Sequence, residues 1–295
     1  MNILITGASG MLGAAIAKEW INKYRIYGTA RTNYEGNTLD KFFNYDLSND
    51  SYKELFDWVR PDIIIHCGAI TDVDLCEKHP EIAMAINGLS VKKILKYSGN
   101  AKLIFISSDA VFNEKTKAST EEDKAEPVNV YGKSKLLGEN ELLNSNNEGV
   151  IIRTTIVGRN VNLGKNSFLE WIIESLINNK KINLFEDVLF TPITIWDLID
   201  ELDWIIDNSI TGVFHIACTE SISKYEFGLR ICEKLNLDTS LINKISIDKV
   251  SFNAKRPKNQ SLDVSYYKKI SQRELPNINK TINSIITNYG EFING

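Results

Sequence analysis

Tyr131 and Lys135 stand four residues apart, a spacing that on a helix puts two side chains one turn apart on one face. Reduction of a ketone needs a hydride at carbon and a proton at oxygen. A phenol with a reference pKa of about 10 is a poor acid–base group at neutral pH, and a nearby ammonium lowers that value by stabilising the phenolate. The same lysine can bind a ribose. The chemistry wants a third group, a hydroxyl on the carbonyl oxygen. Lys102–Ser107 reads as a strand running into Ser108 and Asp109, and the carboxyl end of a parallel strand is where such a donor would steady developing oxyanion charge. Ser107 and Ser108 both qualify by type, and a plain Ser-Ser-Asp turn is the alternative.

A second constellation lies at the start of the chain. Gly7, Gly10 and Gly13 follow the apolar strand pattern Asn2–Thr6 and open a helical pattern at Met11. Glycines there permit a tight turn, close approach of backbone to a pyrophosphate and close helix–strand packing. The helix start supplies free N–H groups and a favourable dipole. The second strand ends Thr29-Ala30-Arg31, with Arg31 where an acid would favour the ribose hydroxyls of NAD. Arg31, helped by Ser9, reads as a contact for a 2′-phosphate, or as a solvated surface residue. NADPH is the expected cofactor and NADH the alternative. Asp46 is placed to accept from an adenine amino group, with Leu47 beside it; a helix cap is its other reading.

The elements that must position these groups alternate. Strands are predicted at Asn2–Thr6, Arg25–Ala30, Lys41–Tyr45, Asp62–Cys67, Lys102–Ser107 and Gly149–Arg153, with helical stretches at Met11–Lys23, Ser51–Val59, Pro80–Ser98 and Ser134–Leu143. Further helices are expected at Phe168–Asn178 and Ile195–Asp207, a late strand at Gly212–Ala217, a loop at Asn160–Asn166 and irregular chain over Lys255–Asp263. The fold class is α/β: a Rossmann-type doubly wound parallel sheet with a smaller C-terminal substrate-binding lobe. Residues 1–155, with about 190–218, form the dinucleotide-binding domain; about 156–189 and 219–295 form the lobe.

Composition narrows the class. The apolar fraction of 43% in 295 residues is enough for a substantial core, and the net charge of −4 gives no electrostatic reason to expect nucleic acid or an anionic membrane. No apolar run reaches the roughly 20 residues that span a bilayer, and the N-terminus lacks a secretory pattern. Cys67, Cys76, Cys218 and Cys232 lack metal-type spacing and are expected to be reduced thiols. His66, His79 and His215 are expected in core or loop, with no metal site. The expected compartment is the cytoplasm.

Together GASGMLG, CGAITDVDLCE, FISSDAVF and EDKAEPVNVYGKSKLLGE resemble the extended short-chain dehydrogenase/reductases, and more narrowly the dTDP-4-dehydrorhamnose reductase group. The later segments IIRTTIVG, FTPITIWDL, GVFHIA and KRPKNQSLD follow the same order, so the resemblance covers nearly the whole chain. It implies an oxidoreductase in which Tyr131 donates the proton, Lys135 is its partner and Ser108 holds the carbonyl. It implies cofactor contacts from Gly7, Gly10, Met11, Leu12 and Asp46, and from Cys67, Gly68 and Ala69. Thr71 and Val73 would lie at the cofactor–substrate junction, with Asp109 on the substrate side. Asn87 matches the family's structural asparagine, or is a helix-packing residue. Arg256 would meet the nucleotide phosphates, or is an exposed loop residue.

Two positions depart from that group: Ala110 replaces an aromatic residue and Ile156 a tryptophan, both bordering the family's sugar pocket. Ala14 and Ala15 stand where a metal-bridged dimer would want an acid, although a homodimer remains compatible. The resemblance implies reduction of the 4-keto group of a nucleoside-diphosphate 6-deoxyhexose for surface-polysaccharide synthesis, with that nucleotide sugar as the partner. The alternatives are a nucleotide-sugar epimerase or dehydratase with bound NAD, and a non-catalytic regulatory subunit resembling that of methionine adenosyltransferase.

Overall fold

The computed structural model describes residues 1–32, 34, 38–114, 117–160 and 166–293. Alternate residues of the central strands bury opposite ways. Ile3, Ile5, Ile63, Ile65, Ile104, Ile106, Val150 and Ile152 join one core, whereas Leu4, Ile64, Leu103, Phe105 and Ile151 join another. A strand buried on both faces is the mark of a parallel sheet layered between helices. That sheet has seven strands. β1 (Asn2–Thr6), β2 (Arg25–Ala30), β3 (Lys41–Asn44), β4 (Ile63–His66), β5 (Lys102–Ile106) and β6 (Gly149–Arg153) are joined by Gly212–His215. All pairs are parallel, in the spatial order Gly212–His215, β6, β5, β4, β1, β2, β3. The order reverses between β1 and β4, which opens a crevice above their carboxyl ends.

Helix α1 (Met11–Glu19) and the Ile195–Asn208 helix cover the first face; Lys53–Trp58 and Ser90–Tyr97 cover the second. The expected Pro80–Ser98 helix is continuous but underwound at its centre. Met84–Leu89 is a π-helical turn between the α-helical Pro80–Ala83 and Ser90–Tyr97. Such turns are rare and re-aim a side chain; here the turn carries Asn87. The expected Ser134–Leu143 helix starts earlier, at Val130, because the Asn129 side chain caps it by accepting from the Gly132 N–H at 2.9 Å. Tyr131 is therefore on the helix, not before it. α1 ends at Glu19, short of the expected Lys23, with Trp20 closing the last turn.

Outside the sheet, Ile156–Val157 pairs with Ile193–Thr194, Leu189–Phe190 with Ile222–Ser223, and Ile182–Phe185 with Ile242–Ile245. The Phe168–Ile177, Lys224–Lys234 and Ile278–Ile293 helices accompany them. Separate apolar clusters form here, around Leu169, Phe190 and Phe227 and around Ile172, Leu184 and Cys232. Residues 161–165 of the expected Asn160–Asn166 loop lie outside the described residues. No helix among the described residues is long and apolar enough to cross a membrane.

Candidate active site

The turn after β1 requires glycine at two points. Gly7 adopts φ +69°, and a Cβ there would lie 2.7 Å from the Gly68 backbone. A Cβ on Gly13 would fall 2.4 Å from the Gly7 carbonyl oxygen, so α1 packs against the turn only without a side chain. Gly10 precedes α1 in extended conformation, and neither a side-chain cap nor an acid occupies the first turn. The first N–H groups of α1 are left facing the crevice, as an anionic pyrophosphate requires.

The strand after it braces this turn. Thr6 Oγ1 bonds His66 Nδ1 at 2.6 Å and accepts from the Gly68 N–H at 3.2 Å. His66 Nε2 lies 3.0 Å from Ser90 Oγ, whose proton goes to the Ile86 carbonyl. Ser90 must then accept, which fixes His66 as the neutral Nε2–H tautomer. Burial pushes its pKa down to about 3. His66 is a buried strut, as its place in an apolar strand suggests.

Asn87 ties the next loop down. Its Oδ1 accepts from the Ile70 N–H at 2.7 Å, and its Nδ2 donates to the Ile70 carbonyl at 3.0 Å and to Ser134 Oγ at 2.9 Å. One side chain thus joins the segment after β4 to the helix that carries Tyr131 and Lys135. Both sequence readings of Asn87, structural and packing, meet in that bond pattern.

The two serines after β5 separate cleanly. Ser107 Oγ donates to Glu139 Oε1 at 2.5 Å, and Glu139 holds the Arg153 guanidinium at 2.7 Å, both buried. Ser108 instead shares the cleft wall with Tyr131, whose phenol pKa it helps to lower, donates to Asp109 Oδ1 at 2.8 Å and accepts from the Ala110 N–H at 3.2 Å. Asp109 Oδ2 accepts from Thr155 Oγ1, and burial raises its carboxyl above the usual range.

Burial pushes the Tyr131 phenol up to about 12, with Ser108 pulling back. The lowering expected from Lys135 is not part of this geometry. The Lys135 ammonium lies over the Phe105 ring, 4.2 Å from its centroid, and burial brings it down to about 8, against the pull of Glu139. It makes no hydrogen bond to the described residues. A buried cation without a partner in a cleft is a place for a ligand's acceptor oxygens.

These groups line one cleft of about 540 Å³ at the carboxyl ends of β1, β4, β5 and β6. Of the residues singled out from sequence, it gathers Gly7, Gly10, Met11, Leu12, Gly13, Cys67, Ala69, Thr71, Ser107, Ser108, Asp109, Tyr131, Lys135 and Ile156, although the Ser107 hydroxyl is turned to Glu139. Gly68 and Leu47 pack against each other just behind it. Arg31 and Asp46 sit together at the ends of β2 and β3. Asp46 accepts from the Ser48 N–H at 2.8 Å and lies in the field of Arg31, which helps hold its carboxyl low. It closes a turn and caps no helix, since the next helix begins at Lys53. Ser9 bonds Thr32 at 2.9 Å beside them.

Val73 starts a short helix, and Ala110 is buried against Gly132; neither lines the cleft. Arg256 pairs with Asp74 at 2.8 Å and stacks on Phe252, while its Nε is buried without a partner. Sequence reasoning missed Thr154, Thr155, Asn160, Ser167 and Phe168 among the lining residues, and missed the Glu139–Arg153 pair. All four cysteines are free, and burial pushes the Cys67 thiol up to about 12, so it is an unionised wall residue.

The cleft's donors and glycine turn fit a pyridine dinucleotide, and relatives of this chain agree. The probable low-salt glycan biosynthesis reductase Agl14 of Haloferax volcanii is 30% identical over 273 residues, 90% of each chain. Methionine adenosyltransferase 2 subunit beta of Bos taurus is 32% identical over 277 residues, 89% of this chain and 80% of that one. The crystal structure of dTDP-4-dehydrorhamnose reductase from Bacillus anthracis in complex with NADP superposes with a TM-score of 0.87. It is 27% identical and covers 97% of this chain and 99% of its own. The family described as the RmlD substrate binding domain matches residues 1–291, and the chain belongs to that family.

Proposed function

We propose that this protein is a cytoplasmic NADPH-dependent reductase of the 4-keto group of a nucleoside-diphosphate 6-deoxyhexose, acting in the assembly of surface glycans. The carrying observation is that Ser108, Tyr131 and Lys135 converge in the same cleft as the glycine turn after β1. Bound NADPH supplies the hydride. Gly7, Gly10 and the open end of α1 hold its pyrophosphate, Arg31 and Ser9 the 2′-phosphate, Asp46 the adenine and Lys135 the nicotinamide ribose.

The chain's own groups do the proton chemistry. A phenol held near 12 keeps its proton at neutral pH, which is the form a reductase needs. Tyr131 gives that proton to the carbonyl oxygen while Ser108 hydrogen-bonds the same oxygen. The phenolate left behind is reprotonated from water, while Lys135, over the Phe105 ring, serves the ribose and not the phenol. Asp109 Oδ1 takes the Ser108 proton when no substrate is bound, so the hydroxyl turns from Asp109 to the carbonyl oxygen on binding, while Thr155 keeps Asp109 in place. Residues about 156–189 and 219–295 are the lobe that receives the sugar, with Ile156 in its wall.

Supporting this reading are the kinship with reductases and the intact three-residue set. The test is transfer of deuterium from labelled NADPH to the sugar ring of a dTDP-, UDP- or GDP-linked 4-keto-6-deoxyhexose. Label on the carbinol carbon of the product supports it. A product epimerised or dehydrated without label uptake overturns it.

A second reading, a binding subunit, is favoured by the 32% identity to methionine adenosyltransferase 2 subunit beta. It predicts stable association with a methionine adenosyltransferase and no NADPH turnover with any of these sugars.

A further inference from the structure

Lys224 opens the Lys224–Lys234 helix, directly after its cap Ser223, whose side chain accepts from the Glu226 N–H at 3.0 Å. The backbone N–H of Lys224 donates to the Val188 carbonyl at 3.0 Å, so the position of the residue is fixed from both sides. Its ammonium rests on two aromatic faces, 3.4 Å from the Phe190 centroid and 4.7 Å from that of Phe168. Phe168 is part of the cleft wall.

An ammonium has three N–H donors, and rings satisfy charge but accept hydrogen bonds poorly. The Lys224 ammonium makes no hydrogen bond to the described residues. It lies in the fields of Asp109 and Arg256. Asp109 is already engaged: one oxygen accepts from Ser108 and the other from Thr155. Arg256 is a second cation, paired with Asp74, and its buried Nε has no hydrogen-bond partner among the described residues. Donors without acceptors, beside two carboxylates that are already engaged, suit an anion with several oxygens.

We infer that Lys224 is a substrate-anchoring residue that binds the sugar-linked phosphate of a nucleoside-diphosphate substrate, next to the carbonyl end marked by Ser108. The inference rests on the nucleotide-sugar reading above. It gives the C-terminal lobe a direct hold on the diphosphate.

The experiment is calorimetric titration of the NADP-loaded full chain with dTDP, UDP and GDP and with the matching monophosphates. Wild type, Lys224→Met and Lys224→Arg are compared. Methionine keeps the aliphatic stem over the two rings, and thermal unfolding checks that the fold is retained. The expected result is a wild-type preference of tenfold or more for one diphosphate over its monophosphate. Lys224→Met should abolish that preference, Lys224→Arg should retain most of it, and NADPH affinity should be equal in all three. A Lys224→Met variant that keeps the diphosphate preference of wild type overturns this inference alone. A wild type that binds none of the nucleotides overturns it together with the nucleotide-sugar reading.

Discussion

Ser107 and Ser108 are neighbours in the chain and turn to opposite sides of the end of β5. Ser107 donates to Glu139 in the interior, and Ser108 faces Tyr131 in the cleft. By type either could hold a carbonyl; the alternation of a strand decides between them. Ser108→Ala should lower kcat by about 10²–10³-fold, the usual loss of one oxyanion donor. Ser107→Ala should act on unfolding, costing about 1–3 kcal/mol because it leaves Glu139 short of a donor. Turnover and urea unfolding of the two variants check the assignment.

Tyr131→Phe should cut kcat by about 10²–10⁴-fold, the range for losing a positioned proton donor. Its NADPH affinity should match wild type, because the pyrophosphate cradle is untouched. Steady-state kinetics with fluorescence titration of NADPH separates the two effects. Full turnover in this variant would remove Tyr131 from the chemistry.

The Glu139–Arg153 pair is buried beneath the catalytic helix, with Arg153 6% exposed and Glu139 fully buried. Arg153→Met strands the carboxylate, and breaking such a pair costs about 3–5 kcal/mol. Urea unfolding should show that loss. A change below 1 kcal/mol would mean that Ser107 alone satisfies Glu139.

Acid should destabilise the fold through two histidines. Burial lowers His66 to about 3 and His215 to about 4, from 6.5. Below about pH 6.5 the unfolded chain takes up protons that the folded chain refuses. Their contribution is thus complete above pH 6.5 and falls away as pH drops toward 4 and then 3. The slope is at most about 1.4 kcal/mol per pH unit for each histidine. Urea midpoints at pH 7.5 and pH 5 should differ accordingly, and His215→Gln should reduce the difference.

Arg31 is exposed beside Asp46, where a 2′-phosphate would bring it a charged partner. Hydrogen bonds to charged groups are worth about 1.5–3 kcal/mol, so Arg31→Ala should raise the KM for NADPH by about 10–100-fold. The KM for NADH should stay as it was. Equal shifts for both cofactors would assign Arg31 no part in the choice.

Much of the sheet was legible because both periodicities were strong. β1, β2 and β6 carry the bounds read from sequence, and β3, β4 and β5 differ by a residue or so at an end. The glycine turn was legible because Gly7 and Gly13 answer to sterics that sequence spacing encodes. What sequence left open was direction: Ser107 against Ser108, and whether Lys135 faces Tyr131 or lies over Phe105. Those depend on packing between distant segments. Glu139 lies one further turn along the face of Tyr131 and Lys135, yet only its partner Arg153 on β6 reveals its role. Lys224 did leave a local trace. Ser223 and Glu226 have the spacing of a capping pair, which marks where that helix starts but not that its first side chain lies over Phe168 and Phe190.

The most direct measurement is loss of NADPH absorbance with purified protein and dTDP-, UDP- and GDP-linked 4-keto-6-deoxyhexoses, run beside Tyr131→Phe. Turnover with one nucleotide sugar that collapses in the variant is the predicted result. NADPH that binds but is not oxidised with any member of the panel, or oxidation that survives in Tyr131→Phe, would contradict it.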